Sequence, residues 1–251
     1  MRILFTSDVH GLPEVYSRFT ETLRKYDVGI IAGDLIDEYI SDEDLMRMLK
    51  LSPDDFVEDL PEPDDTLDDR LEAWRSSPQH AHLMRGLEMK EREFKRILRE
   101  AGKPVLVIPG NHDRTDLSSS ELFSNIHMIK LDLDGVRFVG YGWIGSDLDP
   151  ERQMNRFHAV ESLIDSKSVL VTHCPPFGTL DSTEDREGMI YRIGSKALAE
   201  AVARTKPAFH LFGHVHASAG FRANSVNGSY PNVSHFFGIE TDSGGVWTEQ
   251  G

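Results

Sequence analysis

Cysteine is nearly missing from this chain: Cys174 is the only one among 251 residues. No intrachain disulfide can form, and neither a thiolate-rich zinc site nor an iron–sulfur cluster can be built. Any metal must be held by His, Asp, Glu or Asn. Long apolar runs are missing too, since none approaches the roughly 20 residues that a membrane helix needs. With 39% hydrophobic and 27% charged residues, the chain reads as soluble and globular. Its first apolar run, Ile3 to Phe5, is only a strand's worth and leads straight into polar residues of catalytic type. No signal peptide is therefore expected, and the expected location is the cytoplasm. Positive charge is scarce: 27 Lys plus Arg stand against 42 Asp plus Glu, a formal net charge of −15. A surface of that sign repels a nucleic-acid backbone, so nucleic acid is not the expected partner.

The length suits one domain, residues 1–251, with a sizeable core. Acid is concentrated: Asp37 to Glu72 holds fifteen Asp plus Glu against three Lys plus Arg. With Pro53, Pro61, Pro63 and Pro78 nearby, this reads as an acidic, partly helical insertion at about 37–100, either a solvated loop or a lid that restricts substrate size. Elsewhere short apolar runs alternate with helical segments, the pattern of an α/β protein. Strands are expected at Arg2 to Thr6, Val28 to Ala32, Val105 to Ile108, Val136 to Gly140, Ser168 to Thr172 and Ala208 to Phe212. Helices are expected at Glu14 to Tyr26, Gln79 to Ala101, Pro150 to Asp165 and Ser195 to Arg204, the last with Ser195 as its N-cap. After Val215, Asn227-Gly228 and Gly244-Gly245 are hairpin signals, so antiparallel strands are expected at the C-terminal end.

Five of the strand ends carry polar clusters: Asp8-Val9-His10, Gly33-Asp34, Gly110-Asn111-His112-Asp113, Thr172-His173 and Gly213-His214-Val215-His216. Ligands of open α/β sheets gather where the carboxyl ends of strands meet, so these clusters can form one site. Hard oxygen and imidazole donors suit a divalent cation that must bind phosphate and activate water. Alternation along an extended segment would turn Asp8 with His10, and His214 with His216, to a common side. Singly each motif is weak; together they would be costly to bury without a purpose. His80, His82, His127, His158, His210 and His235 carry no such pattern and read as surface or core residues, and Cys174 reads as packing.

The five blocks together resemble the calcineurin-like metallophosphoesterase superfamily, whose pattern is Asp-x-His, Gly-Asp, Gly-Asn-His-Asp or Glu, a single His, and Gly-His-x-His. Thr172-His173-Cys174-Pro175-Pro176-Phe177-Gly178 is similar to a branch with a Thr-His-x-Pro-Pro-x-Gly loop. The resemblance implies an α/β fold, a four-layer α-β-β-α sandwich of two mixed sheets flanked by helices. It implies two divalent metal ions (Mn, Fe or Zn): Asp8, His10 and His216 would hold one, Asn111, His173 and His214 the other, and Asp34 would bridge them. His112 is left as the catalytic acid for the leaving oxygen, with Asp113 orienting its imidazole. Paired ions of this kind clamp a phosphate and generate hydroxide from bound water, so the expected reaction is metal-dependent hydrolysis of a phosphoester by a metal-activated hydroxide.

The protein Ser/Thr phosphatases of the superfamily continue Gly-Asp into Asp-Arg-Gly, whereas here Gly33-Asp34 runs into Leu35-Ile36-Asp37-Glu38. A protein phosphatase is not expected, and Arg114 becomes the candidate group for the far side of the phosphate. No basic or apolar membrane-facing helix is evident, so no membrane partner is expected. A small-molecule phosphodiester is the expected substrate; a phosphomonoesterase, a nuclease of the same superfamily and a non-catalytic metal-binding scaffold are the alternatives.

Overall fold

The computed structural model describes residues 1–36, 76, 78–113, 117–142, 157–185, 187–230 and 235–249. The acidic stretch from Asp37 to Glu72, Arg114 and the start of the helix expected from Pro150 lie outside the described residues.

Two six-stranded sheets carry the chain. The first is built from β1 (Arg2–Thr6), β2 (Val28–Ala32), β3 (Val105–Ile108), β4 (Phe123–Asn125), β13 (Phe236–Glu240) and β14 (Gly245–Glu249), in the order β14-β13-β1-β2-β3-β4. The second is built from β5 (Lys130–Leu133), β6 (Val136–Tyr141), β7 (Ser168–Thr172), β10 (Phe209–Phe212), β11 (Gly220–Arg222) and β12 (Ser225–Asn227), in the order β11-β12-β10-β7-β6-β5. Both are mixed. β1 to β4 are mutually parallel, β13 is antiparallel to β1 and β14 is antiparallel to β13; β6, β7, β10 and β12 are parallel, with β5 antiparallel to β6 and β11 antiparallel to β12. A separate hairpin of β8 (Ser182–Glu184) and β9 (Ile190–Arg192) stands in the connection after β7.

Alternation along the central strands shows the four layers. In β1, β2 and β3, the residues Ile3, Phe5, Val28, Ile30, Leu106 and Ile108 meet Val169, Val171, Phe209 and Leu211 in a core between the sheets. Their neighbours Leu4, Ile31, Val105 and Val107 face the other way, onto Tyr16, Phe19 and Leu23 of α1 (Pro13–Leu23) and Phe94 and Leu98 of α2 (Pro78–Arg99). Leu170 turns to the outer side of the second sheet, where it packs with Phe157, Val160, and Leu198 and Ala201 of α3 (Lys196–Thr205). Because both faces of β1, β2, β3 and β7 are covered, these strands read as continuous apolar runs. The expected α-β-β-α sandwich is the architecture observed. Pro13 opens α1 where its missing N–H costs nothing. Ser195 caps α3 by accepting from the Leu198 amide at 3.2 Å.

One turn differs from the sequence expectation. Asn227-Gly228 is no hairpin turn; β11 and β12 are joined at Ala223 and Asn224, and β12 then lies parallel to β10. The Asn227 side chain is buried and its Nδ2 donates to the Leu180 and Val215 carbonyls, tertiary hydrogen bonds that outweigh the local turn preference of Asn-Gly. The second signal holds, since Gly244 (φ +72°) closes the β13–β14 hairpin. Among the described residues no helix is long and apolar enough to cross a membrane.

Candidate metal centre

All five polar clusters follow strands of the parallel cores, three from the first sheet (β1, β2, β3) and two from the second (β7, β10), and the structure brings them together. The ligand atoms of Asp8, His10 and His216 lie within 4.8 Å of one another, and so do those of Asp8, Asp34 and His173. Asn111 links the second pair of histidines: its Oδ1 is 2.8 Å from His173 Nε2 and 3.0 Å from His214 Nδ1. His112 stands at the edge, its ring T-shaped to that of His10 with centroids 5.4 Å apart.

Backbone strain aims these groups. Asp8 (φ +56°), His10 (φ +51°), Asp34 (φ +51°) and His214 (φ +70°) are all in the left-handed region, which non-glycine residues rarely adopt. Asp8 and His10 therefore share a side through a left-handed turn, not through the strand alternation expected for them. Such conformations persist where the surroundings over-determine them, and they cluster at functional sites. The hydrogen bonds that do so are visible: Asp8 accepts from the His214 amide, across the sheets, at 3.0 Å, and Asp34 accepts from the His112 amide at 2.8 Å. The His10 and Gly11 amides donate to the Asp34 and Leu35 carbonyls at 2.8 and 2.7 Å.

Electrostatics favour a cation here. Burial opposes ionisation of Asp8, but the hydrogen bond from His216 and the charge of His173 hold its carboxyl below the usual range. Asp34 is likewise held low, with His173 overcoming its burial. Burial works against a charged His173, yet the carboxylates of Asp34 and Asp8 push its pKa up to about 9. His214, half-buried and beside His173, is pushed down to about 4, by desolvation first and then by the His173 charge. The His173 Nδ1–H donates to the Ala32 carbonyl at 2.8 Å, which turns Nε2 toward Asn111 and Asp34. Orientation of a ligating imidazole by a backbone carbonyl is the usual arrangement in metal sites. Two buried carboxylates, an amide oxygen and four imidazoles form a hard, partly anionic donor set that fits divalent cations.

Asp113 departs from the role the resemblance implies. Its Oδ1 accepts from the Leu35 and Ile36 amides at 2.9 and 3.0 Å, and Oδ2 from the Gly110 amide at 2.7 Å. Both oxygens are thus committed to the backbone behind Asp34 and Asn111, and the side chain braces those two loops instead of orienting the His112 ring. Burial and the Asp34 charge push its pKa up to about 7, while the amides pull it down. Three N–H donors favour the ionised form against that burial.

Sequence reasoning passed over the residues behind the ligands. Ser229 Oγ lies 2.9 Å from Asp8 Oδ2, and Ser7 Oγ donates to the Ala32 carbonyl at 2.8 Å. The buried His210 bonds Thr172 Oγ1 at 2.9 Å, next to His173, and joins the core as expected. Cys174 is half-buried, and burial pushes its thiol up to about 12, which disfavours the thiolate.

Known proteins resemble this chain in sequence and in fold. The chain is 35% identical over 98 residues to the UPF0046 protein K07C11.7 of Caenorhabditis elegans, covering 36% of this chain and 32% of that protein. It is 33% identical over 97 residues to the human metallophosphoesterase domain-containing protein 1, covering 38% of this chain and 27% of that one. The match thus spans about a third or less of these relatives' length. Solved structures agree in fold: the protein TT1561 of Thermus thermophilus superposes with a TM-score of 0.59 at 16% identity, over 99% of this chain and 98% of that one. A dimetal phosphatase from Danio rerio superposes at 0.51 and 12% identity, over 95% and 91%. The sequence pattern of the calcineurin-like phosphoesterases matches residues 1–218, a span that takes in every ligand-bearing strand end, and the chain belongs to that family.

Proposed function

We propose that the protein is a metal-dependent phosphoester hydrolase with a dinuclear centre, acting on a small-molecule phosphodiester. The convergence of Asp8, His10 and His216 with Asp34 and His173 in two groups that share Asp8 carries the reading. Asp8, His10 and His216 would hold one ion, Asn111, His173 and His214 the other, with Asp34 between them. The Danio rerio structure of like fold, a dimetal phosphatase, supports two ions. When bound, the ions would supply an activated water and neutralise charge on the phosphate.

The chain's own groups supply the rest. His112, at the rim of the cluster beside His10, would donate a proton to the leaving oxygen, a contribution on the order of 10² to 10⁴ in rate. The left-handed turns at Asp8, Asp34 and His214 fix the donors before substrate arrives, which is where electrostatic preorganisation gains its effect. A net charge of −15 disfavours DNA and RNA, which supports a small substrate.

The test is turnover of bis(nitrophenyl) phosphate and nitrophenyl phosphate by metal-stripped protein, before and after Mn²⁺, Fe²⁺ or Zn²⁺. Metal-dependent cleavage with the diester preferred is expected. A monoester preference would overturn the substrate class, and absence of turnover with two ions bound would favour the scaffold.

A further inference from the structure

Behind the ligand cluster lies a buried segment, Asn227-Gly228-Ser229, that begins at the last residue of β12 and falls beyond the residues matched by the family pattern. Its backbone joins the two sheets at their ligand-bearing ends. The Gly228 amide donates to the Phe212 carbonyl of β10 at 2.8 Å, and the Ser7 amide, just past β1, donates to the Gly228 carbonyl at 2.9 Å. Gly228 is needed for this approach, since a Cβ there would lie 2.6 Å from Phe5 Cε1.

The side chains continue the link. Asn227 Nδ2 donates to the Val215 carbonyl at 2.9 Å and to the Leu180 carbonyl at 3.1 Å. Val215 is the residue between His214 and His216. Asn227 Oδ1 faces the Ser229 amide at 3.1 Å and the Ser229 hydroxyl at 2.8 Å. Two carbonyls on one side and an N–H on the other fix which way the amide points. Ser229 has one proton to give. The ionised Asp8 carboxylate, 2.9 Å away, is its stronger acceptor. One buried unit thus touches the peptide between two histidine ligands and the carboxylate shared by both ligand groups.

The geometry assigns Asn227 and Ser229 as positioning residues of the metal centre: they set Asp8 against the His214–His216 turn so that the ligands from the two sheets stay in register. This rests on the metal-site reading above. Outer-sphere partners of this kind typically contribute about 10- to 100-fold to metal affinity or activity.

The experiment measures Mn²⁺ binding by titration calorimetry on metal-stripped protein, with the thermal melt of the metal-free form beside it. Ser229→Ala should weaken Mn²⁺ binding about 10- to 100-fold while the metal-free form still melts cooperatively, and Ser229→Thr, which keeps the hydroxyl, should restore most of it. Asn227→Asp, which turns a carboxylate toward two carbonyl oxygens, should weaken binding at least as much. Affinity within about twofold of wild type in Ser229→Ala, well short of the expected range, would overturn the assignment, as would a loss that Ser229→Thr shares in full. If the wild-type protein itself takes up no Mn²⁺, the metal-site reading fails, and the positioning role with it. Wild-type binding with indifferent variants removes the positioning role alone.

Discussion

Gly110 packs against Asp34 so closely that a Cβ on it would lie 2.2 Å from the Asp34 Oδ1 and 2.3 Å from the Asp34 amide nitrogen. The loop after β3 thus approaches the loop after β2 at a distance no side chain permits. Gly110→Ala should displace Asp34, and with it the hydrogen bond from the His112 amide. The expected outcome is loss of bound metal, read by elemental analysis of the purified variant. Full metal content with unaltered turnover would contradict it.

His112 and Asp113 are neighbours with separable duties. His112→Ala should leave metal content intact and lower turnover about 10²- to 10⁴-fold, the range for a lost general acid. Asp113→Asn turns an N–H donor onto backbone amides, so it should cost about 1–3 kcal/mol of stability and disturb the loops carrying Asp34 and Asn111. Thermal melts and metal analysis of the two variants, run together, distinguish these patterns. A His112→Ala protein that loses its ions would reverse the roles.

Metal removal should be felt in stability as well as in turnover. A ligand that binds the folded state alone stabilises it by about 2.7 kcal/mol at a hundred times its dissociation constant. Adding Mn²⁺ to chelator-treated protein is expected to raise the melting temperature and restore hydrolysis together. A melt that does not respond to Mn²⁺ would count against ligands from both sheets sharing the ions.

His210 gives a pH signature away from the ligands. Burial pushes its pKa down to about 3 in the folded state, against about 6.5 when unfolded. Above about pH 6.5 it is neutral in both states; as pH falls toward about 3 the unfolded chain takes up a proton that the folded one refuses, so stability declines. The slope is on the order of 1 kcal/mol per pH unit. Denaturation between about pH 7 and 4.5, inside that window, should show a steeper loss in wild type than in His210→Gln, which keeps a donor for Thr172 without titrating there. Parallel curves would refute the assignment.

Much of this was legible in the sequence. Arg2–Thr6, Val28–Ala32, Val105–Ile108 and Ser168–Thr172 are strands at the bounds their apolar runs suggest, because strands covered on both faces need uninterrupted apolar residues. The ligand clusters were legible because each stands at the end of such a run. The duty of Asp113 was not: the resemblance implies a partner for His112, while the left-handed turn at Asp34 brings the Leu35 and Ile36 amides to it instead. Asn227 and Ser229 were hidden for a related reason. Asn-Gly has a strong local meaning as a turn, and only the parallel pairing of β12 with β10 turns its polar groups inward.

On the proposed metal-site reading, donors drawn from both sheets give the two ends of the sandwich unequal freedom. At the ligand end, any sliding of one sheet over the other would pull Asp8 and Asp34 away from His173, His214 and His216, so chemistry and sheet registry are selected together. The far end, where Met1 and Arg2 bond Thr241 and Asp27, carries no such demand. Loops there can lengthen, shorten or acquire new contacts while the reaction centre stays as it is.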